Sequence, residues 1–159
     1  MKPAAAIARG ALLVLAAFVL DMAIGHRLAF RNVQPDMSLA ALTPVALAVR
    51  ASGGAWLGLF AGVLKGSFVS LAFGSYAVSR CLAGWLTGLL QERFFRDNLF
   101  VTVAAGFMAS LEADLTFFAF APQPDAAQYW LSSGATALYT AVWVIPFALL
   151  VRRMYPPTV

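Results

Sequence analysis

Five ionisable residues stand in apolar surroundings along this 159-residue chain: Asp21, Lys65, Arg80, Glu112 and Asp114. Glu112 and Asp114 are the one carboxylate pair close enough in sequence to suggest general acid–base chemistry. Two residues apart on a helix, however, they diverge by about 200°, so they do not face one substrate. The rest of the catalytic repertoire is thin. His26 is the single histidine and Cys81 the single cysteine, so neither a disulfide nor a cysteine–histidine metal set can form within the chain. The sequence has no HExxH, no GxSxG and no glycine-rich loop followed by Lys-Ser or Lys-Thr. It predicts no enzyme, no cofactor and no metal.

The setting of these charges explains their interest. Hydrophobic residues make up 62% of the chain and charged residues 11%, with a mean hydropathy of +0.81. Soluble domains are about half apolar and about a quarter charged, and they rarely expose the large apolar patches this composition would require. Six apolar segments follow one another: 8–28, 37–49, 54–73, 75–90, 99–120 and 130–151. The expected fold is therefore an all-α, six-helix transmembrane bundle filling residues 1–159 as a single domain. The segment 37–49 is short and holds Pro44, which predicts a kink there or an incomplete crossing. A tight turn is expected near Gly74. Lys2 and Arg9 precede the apolar run 11–20, which Asp21 interrupts, so the first segment reads as a retained helix rather than a cleaved signal.

Basic residues orient such a bundle. With the N-terminus inside, the cytoplasmic side carries Lys2, Arg9, Arg50, Arg93, Arg96, Arg152 and Arg153, and the opposite side only Arg27 and Arg31. Both termini then lie in the cytoplasm. The same asymmetry accounts for the pI near 9.7 without nucleic acid as a partner. The stretch 91–100 mixes Arg93 and Arg96 with Phe94, Phe95 and Phe100, and it reads as an amphipathic strip at the inner interface.

Within the bundle, two patterns stand out. Gly54, Gly58, Gly62 and Gly66 recur every fourth residue, continued by Ser70 and Gly74, and Gly84 and Gly88 offer a matching face. Lipid provides no hydrophobic drive for helix pairing, so smooth faces of this kind allow the close backbone approach that does. The stripe packs either within the chain or against a partner helix. The second pattern is the charge set itself. A charge at the bilayer centre costs about 2.5–3.5 kcal/mol, so Asp21, Lys65, Arg80, Glu112 and Asp114 should meet in one polar network. That network either lines a cavity or neutralises itself and fixes helix register, with Arg80 snorkelling outward.

These residues resemble those of the bacterial rod-shape-determining protein MreD family, small six-helix inner-membrane proteins. The resemblance rests on Pro35-Asp36 opening the second helix, on the run from Gly58 through Gly62 to Lys65, on Gly74, on Gly84 and Gly88, and on a last helix ending in Arg152-Arg153. One position departs: the family usually carries Asp where this chain has Lys65, an inversion that demands a compensating acid from Asp21, Glu112 or Asp114. The resemblance implies a non-enzymatic scaffold of the cell-elongation and peptidoglycan-synthesis machinery (the elongasome) in the bacterial cytoplasmic membrane. Its implied partner is a single-span MreC-like protein, alongside MreB, RodA and a penicillin-binding transpeptidase. The alternative is the substrate-binding component of an energy-coupling-factor vitamin transporter. Its alanine-rich first helix is echoed by Ala4, Ala5, Ala6, Ala8 and Ala11, and it would use Asp21, Arg80, Glu112 and Asp114 to hold a ligand.

Overall fold

The computed structural model describes residues 3–30, 33–68, 72–90 and 98–155. Among them the chain is helical, with one isolated antiparallel bridge between Phe30 and Val33. The elements are α1 (Pro3–Ile24), a 3-10 turn (Gly25–Arg27), α2 (Met37–Phe68), α3 (Phe73–Leu90), α4 (Leu99–Phe120) and α5 (Ala126–Met154). Helices α1, α2, α4 and α5 are long and apolar enough to cross a membrane. The protein is a multi-pass membrane protein by that measure. Helix is the expected answer in lipid, because it satisfies every backbone polar group within the segment.

Three side chains set the helix starts. Asn98 accepts from the Phe100 amide at 2.9 Å and Asp125 from the Gln128 amide at 3.1 Å, the N-capping arrangement that covers otherwise unbonded donors. Asp36 does the same for the Leu39 amide at 3.1 Å.

Helix α2 is not one rod. Arg50 breaks it with φ 69° and ψ 177°, and the chain doubles back there. Lys65 and Asp36, 29 residues apart in sequence, form an ion pair at 2.7 Å. A continuous helix would separate them by about 43 Å. The arms 37–49 and 51–68 are thus an antiparallel hairpin, as the sequence segmentation has it. The break falls at Arg50 and not at Pro44, which lies within a helical arm. Gly74 is likewise not a turn residue but part of the first turn of α3. Residues Lys2, Arg31, Ser70, Arg93 and Arg96, and most of the expected amphipathic strip, lie outside the described residues.

The arm 37–49 forms the centre of the molecule. Every residue from Met37 to Leu47 is buried, and α2 contacts α1, α3, α4 and α5. Its residues are small or apolar all round, the composition of a helix enclosed by others. The second arm runs antiparallel beside α3. At the opposite end of the bundle from Asp36, the Tyr155 hydroxyl donates to the Ala6 carbonyl at 2.5 Å, so the start of α1 and the end of α5 lie together.

The Arg50 backbone occupies a region that only glycine adopts without strain, at a cost of about 1–3 kcal/mol. Glycine at position 50 is therefore expected to be more stable than alanine there by about that amount, the reverse of the usual helix ranking. Chemical denaturation of the two variants in detergent checks this, since both lack the arginine side chain and differ only in backbone freedom.

Candidate functional site

The polar centre of the protein is a four-residue ion cluster at the open end of the α2 hairpin, opposite the turn at Arg50. Asp36 is its hub. Its carboxylate accepts from Lys65 Nζ at 2.7 Å, from Arg80 Nη2, from the Ser38 hydroxyl at 2.6 Å and from the Leu39 amide. Its own amide donates to Thr140 Oγ1 of α5 at 2.9 Å. Lys65 also reaches Asp21 of α1 at 3.4 Å. Two acids and two bases therefore join α1, both arms of α2, and α3, while Thr140 adds α5.

Burial gives the cluster its character. Asp21, Asp36 and Arg80 are 8%, 6% and 5% exposed, and the Lys65 side chain is 19% exposed. With two positive and two negative groups the cluster carries no net charge, the condition under which ions persist in hydrocarbon. Arg80 in addition lies over the Tyr76 ring at 4.9 Å, a favourable cation–π placement. Its Nε is buried without an acceptor among the described residues. The expectation that Arg80 snorkels outward is overturned: Asp36 draws it in.

Among the described residues, Glu112 and Asp114 do not join this cluster through any ion pair. Asp114 accepts from Ser133 of α5 at 2.5 Å, and its carbonyl accepts from the Tyr129 hydroxyl at 2.8 Å. Glu112 accepts from Thr116 at 2.8 Å through Oε1, and its Oε2 is buried without a partner among the described residues. The divergence read from their spacing holds, and the single five-membered network does not form. Conversely, Asp36 was read from sequence only as a helix start and proves to be the hub. The signal was present. An Asp opening a wholly apolar helix has nowhere to place its second oxygen unless a cation meets it. Lys65, beside Gly66 of the stripe, is that cation.

The glycines lie where helix packing requires them. An added Cβ at Gly58 would fall on the Arg80 carbonyl oxygen, and one at Gly62 on that of Tyr76. Gly54 and Gly84 each face the other's carbonyl, Gly88 faces the Ala51 backbone, and Gly66 faces Phe73. The stripe is consumed between the second arm of α2 and α3. It is not a free surface for a partner, which corrects that half of the sequence expectation. The close approach also positions chemistry, because it holds Arg80 and Lys65 on facing helices within reach of one aspartate.

No family model, no curated protein and no solved structure matches this chain.

The site's geometry therefore speaks alone. Its charges pair with one another and with backbone, and no group of three or more metal-ligating side chains occurs among the described residues. The arrangement can lock five helical arms in register.

Proposed function

We propose that this chain is a non-enzymatic membrane scaffold of the bacterial cell-elongation machinery, similar to the MreD family, which binds a single-span partner through transmembrane helix packing. The observation that carries the reading is the place of Pro35-Asp36. The pair on which the family resemblance rests begins the most buried helix and anchors Lys65, Arg80 and Thr140. The departure at Lys65 is met as the resemblance demands, by Asp21 and, unexpectedly, by Asp36.

With α2 taken as two arms, the bundle has six crossings in the bacterial cytoplasmic membrane. Arg50, Arg152 and Arg153 stand at the end where α1 begins, with Arg9. By the positive-inside rule that end is cytoplasmic, and both termini lie there. A mutually neutralised, closed ion cluster supports a rigid scaffold better than a ligand site, which would leave polar groups open to a cavity. The partners implied are an MreC-like protein, with MreB, RodA and a penicillin-binding transpeptidase in the same assembly.

Affinity purification of the tagged protein from mild detergent, with mass spectrometry of what accompanies it, tests the reading. Recovery of a single-span periplasmic protein with cell-wall synthesis enzymes is expected. Recovery of ATPase subunits with their membrane coupling protein would overturn it in favour of a vitamin-transporter component.

A further inference from the structure

Two buried polar atoms lack a hydrogen-bond partner among the described residues, Arg80 Nε and Glu112 Oε2, and the second belongs to a residue that borders a groove. Glu112 lines a cavity of about 470 Å³ between α3 and α4, and its Oε2 is buried yet accepts no hydrogen bond from the described residues. Thr116 occupies the other oxygen at 2.8 Å. The floor of the cavity consists of buried small residues, Ala83 and Thr87 from α3 and Ala105 and Ala109 from α4. Leu86 and Met108 rise on either side as exposed walls. The result is a groove between two helices, smooth along its base and polar at one end.

We propose that this groove is the docking site for a partner's single transmembrane helix, one that presents a side-chain hydrogen-bond donor such as Asn, Gln, Ser or Thr near mid-membrane depth to Glu112. The inference rests on the scaffold reading above and deepens it by assigning the surface. Two features select the occupant. A carboxyl oxygen in hydrocarbon requires a donor, and lipid tails have none. A floor of Ala and Thr between apolar walls suits the ridge of another helix, because small residues let helix backbones approach. A second copy of this chain docking through α1 fits poorly, since the outer face formed by Leu12, Leu15, Val19 and Leu20 is aliphatic and brings no donor.

The test uses the full chain in lipid nanodiscs with a photo-crosslinking residue at Met108. The probes are two synthetic single-span Leu/Ala helices, one with a central Asn and one with Leu in its place. The Asn peptide is expected to crosslink about tenfold more efficiently, the scale of an interhelical hydrogen bond in model membrane peptides. A crosslinker at Leu138 on α5 should show no such preference. Glu112→Leu should abolish the tenfold difference, and Glu112→Gln, which keeps shape and an acceptor, should retain it to within about threefold. Equal yields from both peptides, crosslinking to lipid alone, or crosslinking of one chain to another would overturn the proposal. The purification experiment separates the two ideas. Elongation proteins recovered without a peptide preference would sink the groove assignment and leave the scaffold, and the converse result would do the opposite.

Discussion

Asp36→Asn is expected to destabilise the protein by about 3–5 kcal/mol, the range for removing one partner from a buried ion pair. The variant keeps the size of the side chain and one acceptor oxygen. What it removes is the charge that two cations share. Asp21 would be the cluster's one remaining acid; it is 3.4 Å from Lys65 and forms no ion pair with Arg80 among the described residues. Arg80, 5% exposed, would be left as an uncompensated charge in a low-dielectric interior, where its desolvation is no longer offset. Asp21→Asn should cost less, because Lys65 keeps its shorter contact with Asp36. Reversible unfolding in mixed micelles of detergent and SDS measures both. A double variant, Asp36→Asn with Arg80→Gln, restores charge balance and should lose less than the sum of its parts, as coupled neighbours do. A loss below about 1 kcal/mol for Asp36→Asn would show instead that the two cations reach water or lipid headgroups.

Gly58→Leu is expected to abolish the native α2–α3 packing. Overfilling a packed core costs about 1–3 kcal/mol when the neighbours are side chains that can shift. Here the obstacle is the Arg80 carbonyl, with the Arg80 and Cys81 backbone beside it, and a backbone in a membrane helix cannot yield without losing its own hydrogen bonds. Gly62→Leu meets the Tyr76 carbonyl and the Ala77 Cα in the same way. Both variants should aggregate or unfold at temperatures where the parent is intact, as size-exclusion profiles in detergent would report. Gly74→Ala is the control. Nothing lies within 4 Å of a Cβ at that position, so the replacement should be neutral or stabilising by up to about 1 kcal/mol. Equal tolerance at Gly58 and Gly74 would mean that the two helices are farther apart than the structure has them.

These two sites also divide what could be read in the residues from what could not. The helical, membrane-embedded class follows from composition and apolar run length, which are local quantities. Even the hairpin within α2 was legible as a change of segment at Arg50. The four-residue glycine period announced a close helix contact, because that geometry belongs to any α-helix. What the period could not disclose was the partner: α3 of the same chain supplies the carbonyls of Arg80 and Tyr76 that cover Gly58 and Gly62. The ion cluster divides in the same way. That Asp21, Lys65 and Arg80 must find counter-charges follows from the cost of burying them in lipid. Which counter-charge they find depends on the hairpin at Arg50, which carries Lys65 back to Asp36 across 29 residues. Glu112 shows the limit from the other side: Ser133 of another helix stands opposite Asp114, whereas the hydrogen bond to Glu112 comes from Thr116 of its own helix. Burial penalties depend on residue type and are written locally, whereas pairing depends on which helices become neighbours, and chain reversal decides that only in three dimensions.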